Sequence, residues 1–256
     1  MDTVYNVIGS DPYTVPTVPQ NDLVVVQPPF HWRLLHCTLC IVGGTTFLLG
    51  SIQYLPYFSH EAKGAYLFTV GSFTFFIADL LDFASHHRFG SFTRKNDYYY
   101  ESSSIQWFFR EEDALNSVLM TTGSLSYFIG CVYFIPSLGH TDIGDILFIP
   151  GSIMLFVAEV WRIYRAGSTQ YNSTTGCSER CNFSSRNITN KSAFRADLSL
   201  CLGAVAFLVG SMLFLPSLDI TEVDTRRAAA VFILGSALFL LSALFLFYDY
   251  FVVQRT

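Results

Sequence analysis

Residues 43–56 read GGTTFLLGSIQYLP, residues 123–136 read GSLSYFIGCVYFIP and residues 203–216 read GAVAFLVGSMLFLP, so the step between copies is 80 residues both times. Gly43, Gly50-Ser51 and Leu55-Pro56 recur as Gly123, Gly130-Cys131 and Ile135-Pro136, then as Gly203, Gly210-Ser211 and Leu215-Pro216. Phe47-Leu48-Leu49 is matched in kind by Tyr127-Phe128-Ile129 and Phe207-Leu208-Val209. Self-similarity at a fixed period marks a repeated supersecondary unit. A second apolar stretch follows each copy with a Gly-Ser of its own, Gly71-Ser72, Gly151-Ser152 and Gly235-Ser236, the last shifted by four inserted residues. The unit is a helix, a proline-terminated turn and a second helix, present three times.

These residue types suit helices packed in lipid. Glycines seven apart, such as Gly43 and Gly50, return to one helix face after about two turns and let a neighbouring backbone come close, which matters where lipid supplies no hydrophobic drive between helices. Proline cannot continue the helical hydrogen-bond ladder and so fixes where the chain turns back. Gly43, Gly50, Ser51, Gly71, Ser72, Gly123, Gly130, Gly151, Ser152, Gly203, Gly210, Ser211, Gly235 and Ser236 are therefore expected to be helix-packing residues that join the hairpins. A ligand site is the alternative reading of the Gly-Ser pairs.

Composition points to the bilayer as solvent. Of 256 residues, 51% are hydrophobic, 14% are charged and 25 are Phe, more apolar material than a soluble surface tolerates. Mean hydropathy is +0.39. Spanning hydrocarbon takes about 20 apolar residues in a helix, and six such runs lie at roughly 33–54, 64–84, 115–135, 143–161, 198–215 and 228–251. The expected organisation is an extended N-terminal arm (1–31), hairpin repeat 1 (32–84), a loop with an interfacial segment (85–113), hairpin repeat 2 (114–161), a Ser/Asn-rich loop (162–196), and hairpin repeat 3 with a short tail (197–256). The arm is broken by Pro12, Pro16, Pro19, Pro28 and Pro29, with residues 22–26 as a candidate docking strand. Its first 30 residues hold no Lys or Arg and no apolar run of signal length, so neither a secretory signal nor a mitochondrial presequence is expected. The fold class is all-α: a polytopic membrane protein whose six helices form three hairpins in a pseudo-threefold arrangement.

Six spans put both termini and the two long loops on one side. Twelve Lys and Arg fall there, against Lys63, Arg226 and Arg227 on the side of the short turns, which instead carries Glu61, Asp142, Asp145, Asp219, Glu222 and Asp224. The positive-inside rule makes the termini cytoplasmic, and Trp32, Trp107 and Trp161, all flanking spans on the basic side, suit an aromatic belt there. Four glycosylation acceptors, Asn172, Asn182, Asn187 and Asn190, lie in the loop after the fourth run and would place it outside if used. Cys177 and Cys181 could close a small disulfide, bind metal or stay free. Cys37 and Cys40 form a C-x-x-C inside a span, where apolar packing is the expected role, and Cys131 replaces a repeat serine.

Ionisable groups inside spans are costly and are the functional leads in such a chain. Asp79 and Glu159 occupy equivalent repeat positions, with Ala243 in the third copy, and Asp82 is matched by Arg162 and Leu246. These four polar residues read first as interhelical ion pairs that fix which hairpin sits beside which, for instance Asp79 or Asp82 with Arg162 or Arg33. A proton or ion pathway lined by Asp79 and Glu159 is the alternative. His36 and His86-His87-Arg88 read as a solvated interfacial cluster, since a metal site needs three or four converging ligands. Tyr98 to Tyr100 and residues 105–113, capped by Ser102 to Ser104, read as an interfacial segment. No hydrolase, zincin, Walker or Rossmann motif stands in a usable context, and basic residues are too sparse for nucleic acid.

The hairpin pattern, Gly followed seven residues on by Gly-Ser, then an apolar residue and Pro, a short turn and an apolar helix with a second Gly-Ser, resembles the YrhK-like domain, a two-helix membrane module. The resemblance would cover Gly43 to Asp82, Gly123 to Arg162 and Gly203 to Leu246, three tandem copies. It implies a fold and no activity. The expected function is a non-enzymatic structural or assembly subunit without cofactor or metal, its partners the bilayer and other membrane-protein subunits, with a channel or transporter as the alternative.

Overall fold

Each apolar run lies within one long helix: α1 (Phe30–Gln53), α2 (Glu61–Phe89), α3 (Ser104–Tyr133), α4 (Thr141–Ser168), α5 (Lys191–Phe214) and α6 (Glu222–Phe251). The computed structural model describes residues 29–55, 57–58, 61–89, 104–172, 177–180, 182–188, 190–214 and 222–253. Residues 1–28 of the N-terminal arm, Tyr98 to Tyr100, Ser102, Ser103, Cys181, Pro56 and Pro216 lie outside them, as do the side chains of His86-His87-Arg88, residues 105–113, Asn172, Cys177 and Asn187. At 24 to 30 residues and about 1.5 Å rise each, every helix exceeds the hydrocarbon thickness, and all six are apolar enough to cross a membrane. The chain is a multi-pass membrane protein.

The helices outrun the apolar segments at the terminus side, because helical hydrogen bonding continues into the polar flanks. Residues 105–113 are continuous with the span of α3, and α4 runs seven residues past Trp161, to Ser168. The Ser/Asn-rich loop then forms a two-stranded antiparallel hairpin, β1 (Thr169–Asn172) with β2 (Cys177–Arg180), pairing Thr169 with Arg180 and Asn172 with Cys177. The second hairpin turn is fully described: Pro136 opens a single 3-10 turn over Pro136–Leu138, and Gly139 follows at φ 68°, where an L side chain would be strained. Within α4, Pro150 interrupts the backbone ladder, and Ser126 of α3 donates to the Leu147 carbonyl beside the break at 2.8 Å.

Each helix packs on the next, and α6 packs back on α1, so the bundle is a closed ring. Two kinds of seam build it. Within hairpins, the glycines touch the opposite helix: a Cβ on Gly50 would stand 3.1 Å from the Gly64 carbonyl, on Gly130 3.1 Å from that of Gly144, and on Gly151 3.1 Å from that of Gly123. Between hairpins, hydroxyl side chains take over. Ser51 Oγ meets Ser236 Oγ at 2.8 Å across α1 and α6, and Thr69 Oγ1 donates to the Cys131 carbonyl at 3.2 Å across α2 and α3. At the third seam, α4 against α5, Ser152 instead bonds the Tyr127 hydroxyl of its own hairpin at 2.6 Å, leaving Ser211 Oγ without a partner. Tyr127 stands where the other copies have Phe47 and Phe207, and its hydroxyl diverts the serine. Gly44 brings α1 closest to α6, since a Cβ there would lie 2.7 Å from the Leu240 Cα.

The interior is a column of rings contributed by repeat-equivalent positions. Phe47, Tyr127 and Phe207 form a central triangle with centroid separations of 6.4, 5.7 and 5.4 Å. Toward the short turns, Tyr54 meets Phe68 at 5.3 Å, Phe134 meets Phe148 at 5.2 Å and Phe214 meets Phe232 at 5.4 Å. Aliphatic side chains such as Leu49, Val70, Ile129, Ile153, Val209 and Leu234 point outward, as lipid solvation favours. Ring closure by one chain predicts that Ser51→Cys with Ser236→Cys, in a background lacking the native cysteines, forms a disulfide on mild oxidation. The product should run as a monomer on a denaturing gel, and a crosslinked dimer would contradict closure within one chain.

Candidate functional site: a cavity between the hairpins

A cavity of about 490 Å³ sits inside the ring on the terminus side of the Phe47–Tyr127–Phe207 triangle. Its deep wall is apolar, with Phe47, Phe75, Tyr127, Leu155 and Phe239. Its outer wall is polar and reaches the surface where the side chains of Asp82 and Arg162 are 37% and 41% exposed. Toward the short turns, a void of about 30 Å³ is lined by the six rings of Tyr54, Phe68, Phe134, Phe148, Phe214 and Phe232.

Repeat arithmetic explains why polar groups gather on one flank. Seven residues before Gly43, Gly123 and Gly203 stand His36, Asn116 and Ala196, and eleven after Gly71, Gly151 and Gly235 stand Asp82, Arg162 and Leu246. All six line the cavity. At these two registers hairpins 1 and 2 supply polar groups and hairpin 3 apolar ones, while Asp197, Ser242 and Tyr250 of hairpin 3 line the cavity from other positions.

The four polar residues singled out from the sequence do converge on this region, in unequal roles. Asp79, Asp82 and Arg162 line the cavity, whereas Glu159 lies behind it, fully buried. Arg162 bridges Glu159 at 3.0 Å along its own helix and Asp197 of α5 at 3.2 Å, so it ties hairpin 2 to hairpin 3. Asp82 pairs with His36 Nε2 at 3.3 Å, tying α2 to α1. Thr121 Oγ1 donates to the Asp79 backbone carbonyl at 3.3 Å and joins α2 to α3. The Gly-Ser residues lie in the helix seams, with Ser72 alone among them also touching the cavity.

His36 corrects the expectation of a solvated interfacial histidine: it is 5% exposed, because Trp32 stacks on its ring at 5.1 Å and α6 covers it with Tyr250. Asn116, Arg165, Asp197 and Tyr250 were not singled out from the sequence. Asn116 was open to the same seven-residue extension that reaches His36, whereas Asp197 and Tyr250 carry no periodic signal. One of the glycosylation acceptors has a structural occupation. Asn190 Oδ1 accepts from the Ser192 and Ala193 amides at the start of α5, and its Nδ2 donates to Asp249 Oδ1 at 2.9 Å. Ser192 of the same sequon donates to Asp249 at 2.6 Å. Among the described residues, no group of three or more His, Cys, Asp or Glu stands where it could hold a metal ion.

The family model for YrhK-like proteins matches this chain twice, at residues 31–87 and 194–248. These segments are hairpins 1 and 3, and the middle hairpin lies outside both. No curated protein and no solved structure matches the chain.

Proposed function

We propose, from the premise that this is a multi-pass membrane chain carrying two YrhK-like segments, that it is a non-enzymatic subunit whose three hairpins close about a pseudo-threefold axis around a blind cavity open to one side of the membrane. The middle hairpin is the third copy of the module, diverged at Tyr127, Cys131 and Arg162. The observation that carries this reading is the ring triangle of Phe47, Tyr127 and Phe207, which fills the axis where a conduit would need water. Most of the charged groups at the rim pair with one another, which suits a role in holding hairpins together. The basic terminus side faces the cytoplasm, in keeping with the positive-inside rule, and the capping role of the Asn190 amide argues against a glycan there. Other membrane subunits are the partners such a module would assemble with.

The rival reading is an ion or proton path, favoured by Asp79 in the cavity wall. Purified protein in liposomes separates the two. The blind-cavity reading expects no proton or monovalent-ion flux above empty vesicles, in wild type or in Asp79→Asn with Glu159→Gln. Flux in wild type that this double variant abolishes would make transport the function.

A further inference from the structure

We propose that the cavity binds an organic cation, an ammonium carried on an apolar body, with the Asp79 carboxylate as its counter-ion. This rests on the cavity reading above and names what fills it. The argument starts from the repeat. In hairpin 2 the carboxylate at this register, Glu159, receives the Arg162 guanidinium at 3.0 Å from three residues further along α4. In hairpin 1 the equivalent carboxylate is Asp79, and the residue three further on is Asp82, a second acid in place of the cation. His36 meets Asp82, and Arg162 is divided between Glu159 and Asp197. Asp79 has, among the described residues, no cation within 4 Å. The lining carries Asp79, Asp82 and Asp197 against Arg162, Arg165 and His36, and of the three carboxylates Asp79 is the one with no salt-bridge partner among the described residues. An ionised carboxylate within a spanning helix is costly without a paired charge, and the neighbouring copy shows which charge belongs beside it.

A second, independent observation concerns hydrogen bonding. Asn116 lines the cavity at the register His36 holds in hairpin 1, and its Oδ1 has no hydrogen-bond partner among the described residues. Asn116 Oδ1 accepts only, and an ammonium brings three donors and no acceptor. Below the polar rim, Phe47, Phe75 and Phe239 offer ring faces to a cation and apolar walls to its body. The volume lies in the range of small-molecule sites. Anions are disfavoured by Asp79 and Asp82, and a neutral molecule leaves the carboxylate unmatched.

The test uses the full chain in dodecyl maltoside, which presents neither charge nor ammonium. Calorimetric titrations compare 3-phenylpropylamine, 3-phenylpropanol and 3-phenylpropionate, with empty micelles as blank. The amine should bind at least about tenfold more tightly than the alcohol, and the carboxylate not measurably. Asp79→Asn should weaken the amine about tenfold and leave the alcohol within about twofold. Asp82→Arg, which gives hairpin 1 the residue hairpin 2 already has, should do the same, and because it also removes the Asp82–His36 pair, an alcohol affinity unchanged within about twofold is the check that the cavity is still folded. Added phosphatidylethanolamine that displaces the amine, where phosphatidylglycerol does not, identifies a lipid headgroup as the natural ammonium, and no displacement identifies a free amine. Equal binding of amine and alcohol, or an amine affinity that survives both substitutions, overturns the cation assignment and leaves the cavity standing. Failure of all three probes overturns the cavity reading with it.

Discussion

Arg162→Ala is expected to destabilise the purified protein by about 3–5 kcal/mol, the range for removing one partner of a buried pair, and toward the lower end because the arginine side chain is 41% exposed. Glu159 is fully buried, and one of its carboxylate oxygens already lacks a partner. Without Arg162 its other oxygen loses the guanidinium, and Asp197 across the α4/α5 seam loses it too. At that seam neither repeat serine reaches across, since Ser152 bonds Tyr127 and Ser211 Oγ has no partner. Glu159→Gln should cost much less, since it removes the buried charge together with the need for a cation, and Glu159→Gln with Arg162→Ala should be more stable than Arg162→Ala alone. Thermal melts of the three variants in one detergent check this, and strict additivity would show that the two residues do not act as a pair.

Phe47→Ala is the second large effect, about 3–5 kcal/mol for a fully packed ring. Phe47 is 1% exposed and lies within 6.4 Å of the ring centroids of Phe68, Phe75, Tyr127, Phe207 and Phe239. It also stands between the two cavities, touching Phe75 on the large one and Phe68 on the small one. Its truncation therefore joins them and thins the floor, and proteoliposomes of whatever variant folds should leak small ions where wild type does not. Phe128 is the control: it is half-buried, and its ring contacts among the described residues are with Phe73 and Phe76 of α2, so Phe128→Ala should cost less and leave the floor intact.

The repeat made the architecture legible, because lipid-packed helices meet through small residues and the glycines stand at a fixed spacing. It fixed the number of helices, their pairing into hairpins and the register that places Asp79 beside Glu159 and Asp82 beside Arg162. The same register, extended seven residues toward each first helix start, holds His36 and Asn116, yet a histidine near a helix start reads as solvated until α6 is known to cover it. Ring closure was harder to read, since no sequence signal pairs Gly44 with Leu240. The division of labour within Gly-Ser was also hidden: the glycines serve the hairpin while Ser51 and Ser236 reach the neighbour, a distinction set by a rotation of about 100° between successive residues. The boundaries at 84, 113 and 161 followed the end of apolar character, whereas the helices follow hydrogen bonding and continue into polar sequence at Phe89, Ser104 and Ser168. Asp197 and Tyr250 were invisible because the third hairpin has lost the charges that mark this rim in the other two.

The most direct test of a blind, one-sided cavity is side-specific thiol labelling of Asp79→Cys, in a background lacking the native cysteines, reconstituted in vesicles of known orientation. A membrane-impermeant methanethiosulfonate added on the terminus side should modify the cysteine, and the same reagent added on the turn side should not. Modification from both sides would contradict the account, since it requires a water path past Phe47, Tyr127 and Phe207.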